Sequence, residues 1–306
     1  MIFKIGLGTV QFGQDYGIAN GRGKVPPGEV AQILDYARSA RVECLDTAFN
    51  YGESEAVIGE YLEKYPGSFK VVSKFSSLGQ VEGSLEESLQ RLRVKELYGY
   101  LLHRFDDIKE SPAAWENVVQ LKKQGKIQKA GFSLYSPEEL VFLLDKKIDF
   151  DIVQVPFSIF DRRFEEYFGI LKKKKVEIQA RSVFLQGLFF MDPDDLPVSL
   201  QGARPRLKEL QQIAGDQKIS IEALCLNFVA LNPDVDKVLI GVDSLKHLEE
   251  DIGGMDLKSH VEQLYGQLGV LRVEEEDILV PYKWNVMPRR KQENQKGFSQ
   301  HGQEKR

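Results

Sequence analysis

The sequence predicts an α/β fold of the closed (β/α)₈ kind, a TIM barrel that forms one domain over residues 1–282. Short apolar runs rich in β-branched residues alternate with segments of helical spacing, the pattern of a parallel sheet with crossover helices. The length of 306 residues exceeds the usual size of one core but suits a barrel. An open sheet would carry a glycine-rich phosphate loop after its first strand, and Gly6, Gly8 and Gly13 are too irregularly spaced for one.

Eight strands are predicted, and several are almost continuously apolar, as strands covered on both faces must be. They are IFKIGLG (2–8), VECLD (42–46), FKVVSKF (69–75), LYGYLLH (97–103), KIQKAGFS (126–133), FDIVQVPF (150–157), VEIQARSV (176–183) and VDKVLIGV (235–242).

The helices between these strands are predicted from apolar spacing and from capping residues. Positions i, i+3, i+4 and i+7 form one apolar face at Val30, Ile33, Leu34 and Ala37. Helix starts are marked by Ser84 with Glu87, by Ser111-Pro112 and by Ser136-Pro137.

The last third of the chain departs from the simple alternation. The gap before the eighth strand is long enough for a loop and two helices, at 205–215 and 220–231. Residues 258–281 are predicted as a terminal helix and an extended segment. From 283 to 306 the chain is polar, basic and aperiodic, which is typical of a flexible tail; a strap over the barrel mouth or a subunit contact is the alternative.

Composition limits the classes of function. The net charge of −5 disfavours binding to nucleic acid or to a membrane surface. We expect a cytoplasmic protein, because the sequence shows neither a signal peptide nor a long apolar run. The expected assembly is a monomer or a small homo-oligomer. Cys44 and Cys225 lie in apolar surroundings and are expected to be free buried thiols, with a redox role as the alternative. No metal site is predicted.

Four polar residues stand where barrel enzymes carry their reactive groups, at the carboxyl ends of strands and in the loops that follow. Asp46 ends the second strand, and Tyr51 follows it in the next loop. Lys74 lies near the end of the third strand, and His103 ends the fourth. Each has a structural alternative when taken singly, as a helix cap, a rim residue or a core histidine. A buried Lys74, however, needs a carboxylate partner, and Asp46 on the neighbouring strand is the expected one.

Together these side chains suit proton transfer to a carbonyl oxygen. A tyrosine becomes a usable acid or base when a nearby ammonium favours its phenolate, and Lys74 is expected to act in this way on Tyr51. His103 is expected to donate to the same oxygen or to position it.

The motifs around these residues resemble those of the aldo-keto reductases, especially bacterial members. The resemblance runs the length of the barrel, over GLGTVQFG (6–13), DTAFNYGESEAVIG (46–59), VVSKF (71–75), LLHRFDD (101–107), GKIQKAGFS (125–133), QVPFSIFDRR (154–163) and IGVDSLKHLEED (240–251). It implies reduction of an aldehyde or ketone, sugar carbonyls among the candidates, to the alcohol. The hydride would come from NAD(P)H and the proton from Tyr51, with Asp46, Lys74 and His103 completing the catalytic tetrad.

The resemblance also implies a set of cofactor contacts. Those expected near the nicotinamide are Gly8, Thr9, Val10, Ser133, Gln154 and Arg181. Those expected near the adenosine are Gly241, Ser244, Lys246, His247, Glu250 and Asp251. A helix N-terminus near Ser244 would suit a phosphate. Lys246 and His247 are candidates to bind a 2′-phosphate, so NADP(H) is favoured over NAD(H).

Three departures from the family pattern bear on these expectations. Leu134 stands where many members have asparagine, so one carboxamide contact is expected to be missing. Arg181 replaces the usual aromatic residue and is expected to stack on the nicotinamide, or to reach a cofactor phosphate or an anionic substrate; an internal ion pair is the alternative. The hairpin that plugs the barrel bottom in the family is expected to be short or missing, because the first predicted strand begins almost at Met1.

Two other functions remain possible on this fold. A non-catalytic, nucleotide-sensing regulatory subunit is disfavoured because all four tetrad residues are present. A Schiff-base aldolase or lyase would need Lys74 as a free amine, whereas a carboxylate partner stabilises the ammonium. The substrate itself is not readable. Aromatic residues typical of a site for a hydrophobic or sugar-ring carbonyl are expected around the pocket, with plain core positions as the alternative for some of them; they are Phe12, Phe49, Phe105, Phe157, Phe160 and Phe184.

Overall fold

The structure is a computed structural model that describes residues 4–18 and 20–284. Its eight parallel strands pair in chain order, and the first closes the ring against the eighth. The strands are β1 (Ile5–Gly8), β2 (Cys44–Asp46), β3 (Lys70–Phe75), β4 (Leu97–Leu102), β5 (Ile127–Ser133), β6 (Ile152–Pro156), β7 (Glu177–Arg181) and β8 (Lys237–Gly241). The predicted (β/α)₈ barrel is therefore confirmed.

Helices surround the barrel and connect its strands. They are α1 (Val10–Gly13), α2 (Pro27–Ser39), α3 (Ser54–Lys64), α4 (Val81–Leu92), α5 (Asp106–Glu110), α6 (Trp115–Lys123), α7 (Pro137–Asp145), α8 (Phe168–Lys173), α9 (Arg204–Gln217), α10 (Ile221–Leu231), α11 (Leu245–Gly254), α12 (Lys258–Gly269) and α13 (Glu276–Leu279). Short 3₁₀ segments are Leu78–Gln80, Pro112–Ala114, Glu165–Tyr167, Leu185–Phe190, Pro193–Asp195, Val198–Ala203, Met255–Leu257 and Pro281–Lys283.

The capping predictions have mixed outcomes. Ser136 forms a complete capping box with Glu139 at the start of α7, as its sequence indicates. The capping box at Ser84 is wrong, because α4 begins earlier, at Val81, whose buried side chain extends the apolar face of the helix by one turn. Ser111 precedes the turn Pro112–Ala114 as expected, but its side chain makes no cap hydrogen bond.

Alternation along the strands explains why polar groups collect at one end of the barrel. Side chains two residues apart share a face of a strand, so each inward polar residue has an inward apolar residue below it. The apolar members form one small buried cluster of Cys44, Val72, Leu101 and Ile152. The polar members two residues later are Asp46, Lys74, His103 and Gln154. The barrel thus has an apolar floor beneath a polar mouth at the carboxyl ends of its strands.

The carboxyl-terminal region packs against the barrel as far as it is described. α12 is followed by an irregular segment and by the single turn of α13. Trp284 is buried, and its indole Nε1 donates to the Ile278 carbonyl at 3.1 Å. Residues 285–306, on which most of the predicted tail falls, and residues 1–3, where a plug hairpin would begin, lie outside the described residues.

Two further expectations concern single features of the chain. Cys44 and Cys225 are free and buried, as predicted. Within residues 4–18 and 20–284, no helix is both long enough and apolar enough to cross a membrane.

Candidate active site

An ion pair between β2 and β3 forms the base of the polar mouth. Lys74 Nζ lies 2.7 Å from Asp46 Oδ2, and both side chains are almost fully buried. The ammonium also donates to the Thr47 carbonyl at 2.9 Å. The expected partner of Lys74 is therefore in place, and the charge of this lysine is compensated inside the barrel.

Backbone hydrogen bonds continue beyond the strands and position the loops that follow. The Phe49 N–H donates to the Lys74 carbonyl at 3.0 Å, which holds the loop after β2 against β3. The His103 N–H donates to the Phe75 carbonyl at 2.8 Å, which holds the end of β4 against the same strand. Both loops are thus anchored to the strand that carries the lysine.

Tyr51 lies on a tight turn that requires glycine at two positions, Gly52 within the turn and Gly13 packed against it. A Cβ atom at Gly13 would lie 1.7 Å from the Tyr51 carbonyl oxygen, so α1 packs directly on this turn. Gly52 has a φ of 57°, in the left-handed region that favours glycine. The turn directs the phenol ring toward the ion pair, with Lys74 Nζ 5.0 Å from the ring centroid. The His103 ring meets it edge-on, with the two centroids 5.9 Å apart.

Burial dominates the electrostatics of Tyr51 in the protein alone. Burial raises its pKa well above the ordinary value; Asp46 and Tyr135 add to this rise, and Arg181 opposes it. With its pKa raised, the Tyr51 phenol carries its proton before any reaction. Burial, with Lys74 and Arg181 next in importance, lowers the pKa of His103 to about 3. His103 is therefore a neutral imidazole with one N–H to donate.

Gln154 leaves one hydrogen-bonding atom without a partner beside this group. Its Nε2 donates to Asp46 Oδ1 and, at 2.9 Å, to Gln179 Oε1. Its Oε1 is buried and accepts no hydrogen bond from any residue that the structure describes. Ser133 lies next to it in the register between β5 and β6. An orphaned carbonyl oxygen next to a hydroxyl suits the amide of a nicotinamide ring, which has both a donor and an acceptor.

These residues line one cavity of about 440 Å³ at the carboxyl ends of the strands. Fourteen of the sixteen residues predicted for the site are in its wall, and they are Gly8, Thr9, Val10, Asp46, Tyr51, Lys74, His103, Ser133, Gln154, Arg181, Gly241, His247, Glu250 and Asp251. Ser244 and Lys246 lie outside it. Such a cleft is large enough for an elongated ligand that reaches from the ion pair to α11.

The family of this chain follows from a comparison of its sequence with models of protein families. The model described as the aldo/keto reductase family matches residues 4–265, most of the chain. The chain belongs to the aldo/keto reductase family. The predicted resemblance is therefore confirmed at the level of the family.

Known members of the aldo/keto reductase family are similar to this chain at low identity. An uncharacterized oxidoreductase of Bacillus subtilis is 24% identical over 292 residues, which cover 86% of this chain and 90% of the relative. An NADH-specific methylglyoxal reductase of Escherichia coli is 23% identical, with coverage of 72% and 81%. A solved aldo/keto reductase of Klebsiella pneumoniae, in complex with NADP and acetate, has a TM-score of 0.62 at 20% identity, with coverage of 86% and 91%. This structural likeness concerns the fold.

Arg181 has no carboxylate partner among the described residues of this aldo/keto reductase. Its guanidinium donates to the Leu134 carbonyl at 2.7 Å and to Ser182 Oγ at 3.2 Å. The same group lies over the Tyr135 ring, 4.2 Å from the centroid. Its Nε is buried and has no acceptor in the part of the chain that the structure describes. The alternative of an internal ion pair is therefore wrong, and the positive charge faces the cavity.

Two residues that hold the loop carrying Tyr51 were not identified from the sequence. A buried carboxylate on α3, Glu55, accepts from Ser73 Oγ at 2.6 Å and lies 3.6 Å from Arg91. Arg91 stacks on the Phe49 ring and donates to the Phe49 carbonyl at 3.2 Å, so it fastens the loop that carries Tyr51. The only signal in the sequence is that Glu55 closely follows Gly52, and an acidic residue there is also usual in the first turn of a helix such as α3.

Most of the phenylalanines predicted around the pocket are core residues instead, which is the alternative that the sequence left open. Of the six phenylalanines expected there, only Phe184 lines the cavity, whereas others such as Phe157 pack in the core. Tyr16, Tyr135 and Phe190 line it instead. These residues stand in loops, and apolar periodicity carries no information about loop side chains.

The mouth is narrowed by a contact between two loops. Gln186 Nε2 donates to the Tyr16 hydroxyl at 2.6 Å, and the Ile18 N–H donates to the Gln186 carbonyl at 3.1 Å. Ser182, Leu185 and Gln186 have left-handed backbone angles, which are rare for residues other than glycine. The segment after β7 is therefore held in an unusual shape where it covers the cavity.

Proposed function

We propose that this protein is an NAD(P)H-dependent carbonyl reductase in which Tyr51 gives a proton to the carbonyl oxygen of an aldehyde or ketone. When bound, a reduced nicotinamide would supply the hydride for the carbonyl carbon; together with the proton from Tyr51 this would give the alcohol and leave the oxidised cofactor. The observation that carries the proposal is the placement of Tyr51 beside the Lys74–Asp46 pair and His103, all in the wall of one cavity.

Each of these side chains has a separate role in the proposed reaction. As Tyr51 releases its proton, negative charge develops on the phenol oxygen, and the nearby ammonium of Lys74 stabilises it. Asp46 holds that ammonium in place and balances its charge. The N–H of neutral His103 is available to the same carbonyl oxygen. Gln154 and Ser133 are the residues that would hold the carboxamide of the cofactor.

Two competing functions are less well supported. A Schiff-base lyase needs an accessible amine, whereas the Lys74 side chain is 1% exposed and bound to a carboxylate. A nucleotide-sensing subunit would use the same cavity without turnover, and it is distinguished by experiment. The two free buried thiols suit a reducing compartment, so we keep the proposal of a cytoplasmic protein that acts on a small carbonyl substrate as a monomer or small homo-oligomer.

The decisive experiment compares the wild type with Tyr51→Phe. Oxidation of NADH and NADPH is followed by absorbance with a panel of aldehydes and ketones. We expect the variant to lose about 10²–10⁴-fold in kcat, because it lacks the acid. Binding of the reduced cofactor, followed by fluorescence titration, should change little. Tyr65→Phe is the matched control, since Tyr65 is exposed outside the cavity.

Either of two results would contradict the proposal. If Tyr51→Phe reduces the same carbonyls at the wild-type rate, the residue has no part in the chemistry. If the wild type binds cofactor tightly and reduces no member of the panel, the sensor is the better description.

The preference of this protein between NADP(H) and NAD(H) depends on the residues around the 2′ position of the adenosine ribose. Lys246 and His247 were the basis for favouring NADP(H). The Klebsiella pneumoniae relative is in complex with NADP, whereas the Escherichia coli relative is named NADH-specific, so the relatives include both.

A further inference from the structure

The end of the cavity that lies away from the ion pair is acidic. Its wall includes the side chains of Glu222, Asp243, Glu250 and Asp251, and His247 is the basic side chain among them. In the proposed function the nicotinamide lies beside Gln154, so this far end is where the adenosine half of the cofactor would lie. An anion that enters here meets several carboxylates at short range.

The basic residues near this end are already engaged by acids. His247 Nδ1 lies 2.6 Å from Asp243 Oδ1, and this carboxylate raises the pKa of the imidazole. The Lys246 side chain is 79% exposed, lies outside the cavity wall and pairs with Glu250 at 3.5 Å. Lys246 and His247, the two residues expected to bind a 2′-phosphate, are therefore each already paired with a carboxylate.

The N-terminus of α11 is also occupied, by groups of this chain. Ser244 Oγ accepts from the His247 N–H at 3.2 Å, and Glu29 Oε1 accepts from the Leu245 N–H at 3.3 Å. Glu29 is an acid held here by Arg22, whose guanidinium is 2.9 Å away. A phosphate at this helix end would have to displace an existing cap and would lie against a carboxylate, which disfavours the phosphate expected near Ser244.

Asp251 is the observation that points to a ligand. Its side chain lines the cavity and is 4% exposed, yet it makes no hydrogen bond or ion pair with any residue within the described ranges. Burial, with Glu222 second, raises its pKa to about 8. A buried group of this kind needs a partner that can donate or accept a hydrogen bond, such as a sugar hydroxyl or an adenine amine.

We propose that the far end of the cavity binds an adenosine whose ribose carries a free 2′-hydroxyl, so that the protein prefers NAD(H) to NADP(H), with Asp243 as the main specificity residue. Carboxylates accept hydrogen bonds from ribose hydroxyls, whereas they repel a 2′-phosphate. This inference rests on the proposed use of a nicotinamide cofactor.

The test uses fragments without the nicotinamide, so that it does not depend on turnover. The full-length protein is titrated by calorimetry with ADP-ribose and with 2′-phospho-ADP-ribose. We expect ADP-ribose to bind at least about tenfold more tightly than 2′-phospho-ADP-ribose. A factor of ten corresponds to about 1.4 kcal/mol, and repulsion between the 2′-phosphate and the nearby carboxylates costs more than that. Parallel titrations with NADH and NADPH should give the same order.

Variants then show whether Asp243 is responsible. Asp243→Asn should lower the ratio of the dissociation constant of 2′-phospho-ADP-ribose to that of ADP-ribose by about tenfold. Glu250→Gln is a second variant with the same expected direction, in case Asp243→Asn folds poorly. Glu249→Gln is the matched control. Glu249 is next to Glu250 on α11, and its exposed side chain lies outside the cavity wall. This control should leave the ratio unchanged.

The outcomes separate this inference from the proposed function. Equal binding of the two fragments, or tighter binding of 2′-phospho-ADP-ribose, overturns the preference while cofactor use stands. A ratio that Asp243→Asn and Glu250→Gln both leave unchanged overturns the assignment to these carboxylates. If neither fragment nor either full cofactor binds, the proposed function fails together with the inference.

Discussion

Lys74 and Asp46 form an ion pair of 2.7 Å between adjacent strands at a depth where both side chains are buried. The pair stands on the apolar floor of the barrel and under the ring of Tyr51, 5.0 Å from the ammonium. It thus holds the ammonium of Lys74 in a fixed position beneath the Tyr51 ring. Its stability and its chemistry are both open to measurement.

Asp46→Asn should destabilise the protein strongly. The change leaves the buried Lys74 ammonium without its counter-ion, and breaking a buried pair from one side costs about 3–5 kcal/mol. Urea unfolding at neutral pH measures the loss. Glu86→Gln is the control, since the Lys126–Glu86 pair is largely exposed and should contribute at most about 1 kcal/mol. Equal losses in the two variants would mean that the buried pair has no special role.

Stability should fall in acid through His103. Its pKa is about 3 in the folded protein, below the ordinary value of 6.5, so protons bind the unfolded chain more readily. The contribution is complete above pH 6.5 and is lost as pH falls toward 3. Between pH 7 and pH 4.5 the wild type should lose about 2–3 kcal/mol more than His103→Gln. The exposed His260→Gln is the control, and a His103→Gln variant that loses as much as the wild type would refute the prediction.

Arg181 should favour substrates with a negative charge. Its guanidinium faces the cavity without a carboxylate partner in the described structure, and its Nε is an unused donor. With para-carboxybenzaldehyde as the substrate, Arg181→Met should raise the Michaelis constant by about 10-fold or more, the value of a charge-assisted hydrogen bond. With benzaldehyde, the matched neutral substrate, the same constant should change far less. An equal change for both aldehydes would show that Arg181 shapes the pocket or contacts the cofactor instead.

The barrel and its tetrad could be predicted from the sequence for a definite physical reason. Buried parallel strands are apolar along their length, so Asp46, Lys74 and His103 are conspicuous where each apolar run ends. The carboxyl ends of parallel strands meet at one edge, so chain order alone brings these residues together. Their pairing needed only the rule that a buried ammonium requires a carboxylate.

What remained hidden was how individual side chains are partnered across long separations. Glu29 binds the amide of Leu245 although 216 positions separate them in the chain. That contact and the pairing of His247 to Asp243 place carboxylates against the basic and N–H groups at the α11 end of the cavity. Arg181 likewise could not be distinguished from an internal ion pair until its surroundings were visible.

The sequence by itself determined the fold, the family and the four residues beside the proposed reaction, because hydrophobic periodicity and strand ends are properties of chain order. The tertiary structure decided which charges face the cavity, which are neutralised by neighbours and how burial changes the pKa values of Tyr51 and His103. Those properties depend on distances and solvent exclusion among residues far apart in the chain, and only the folded protein brings them together.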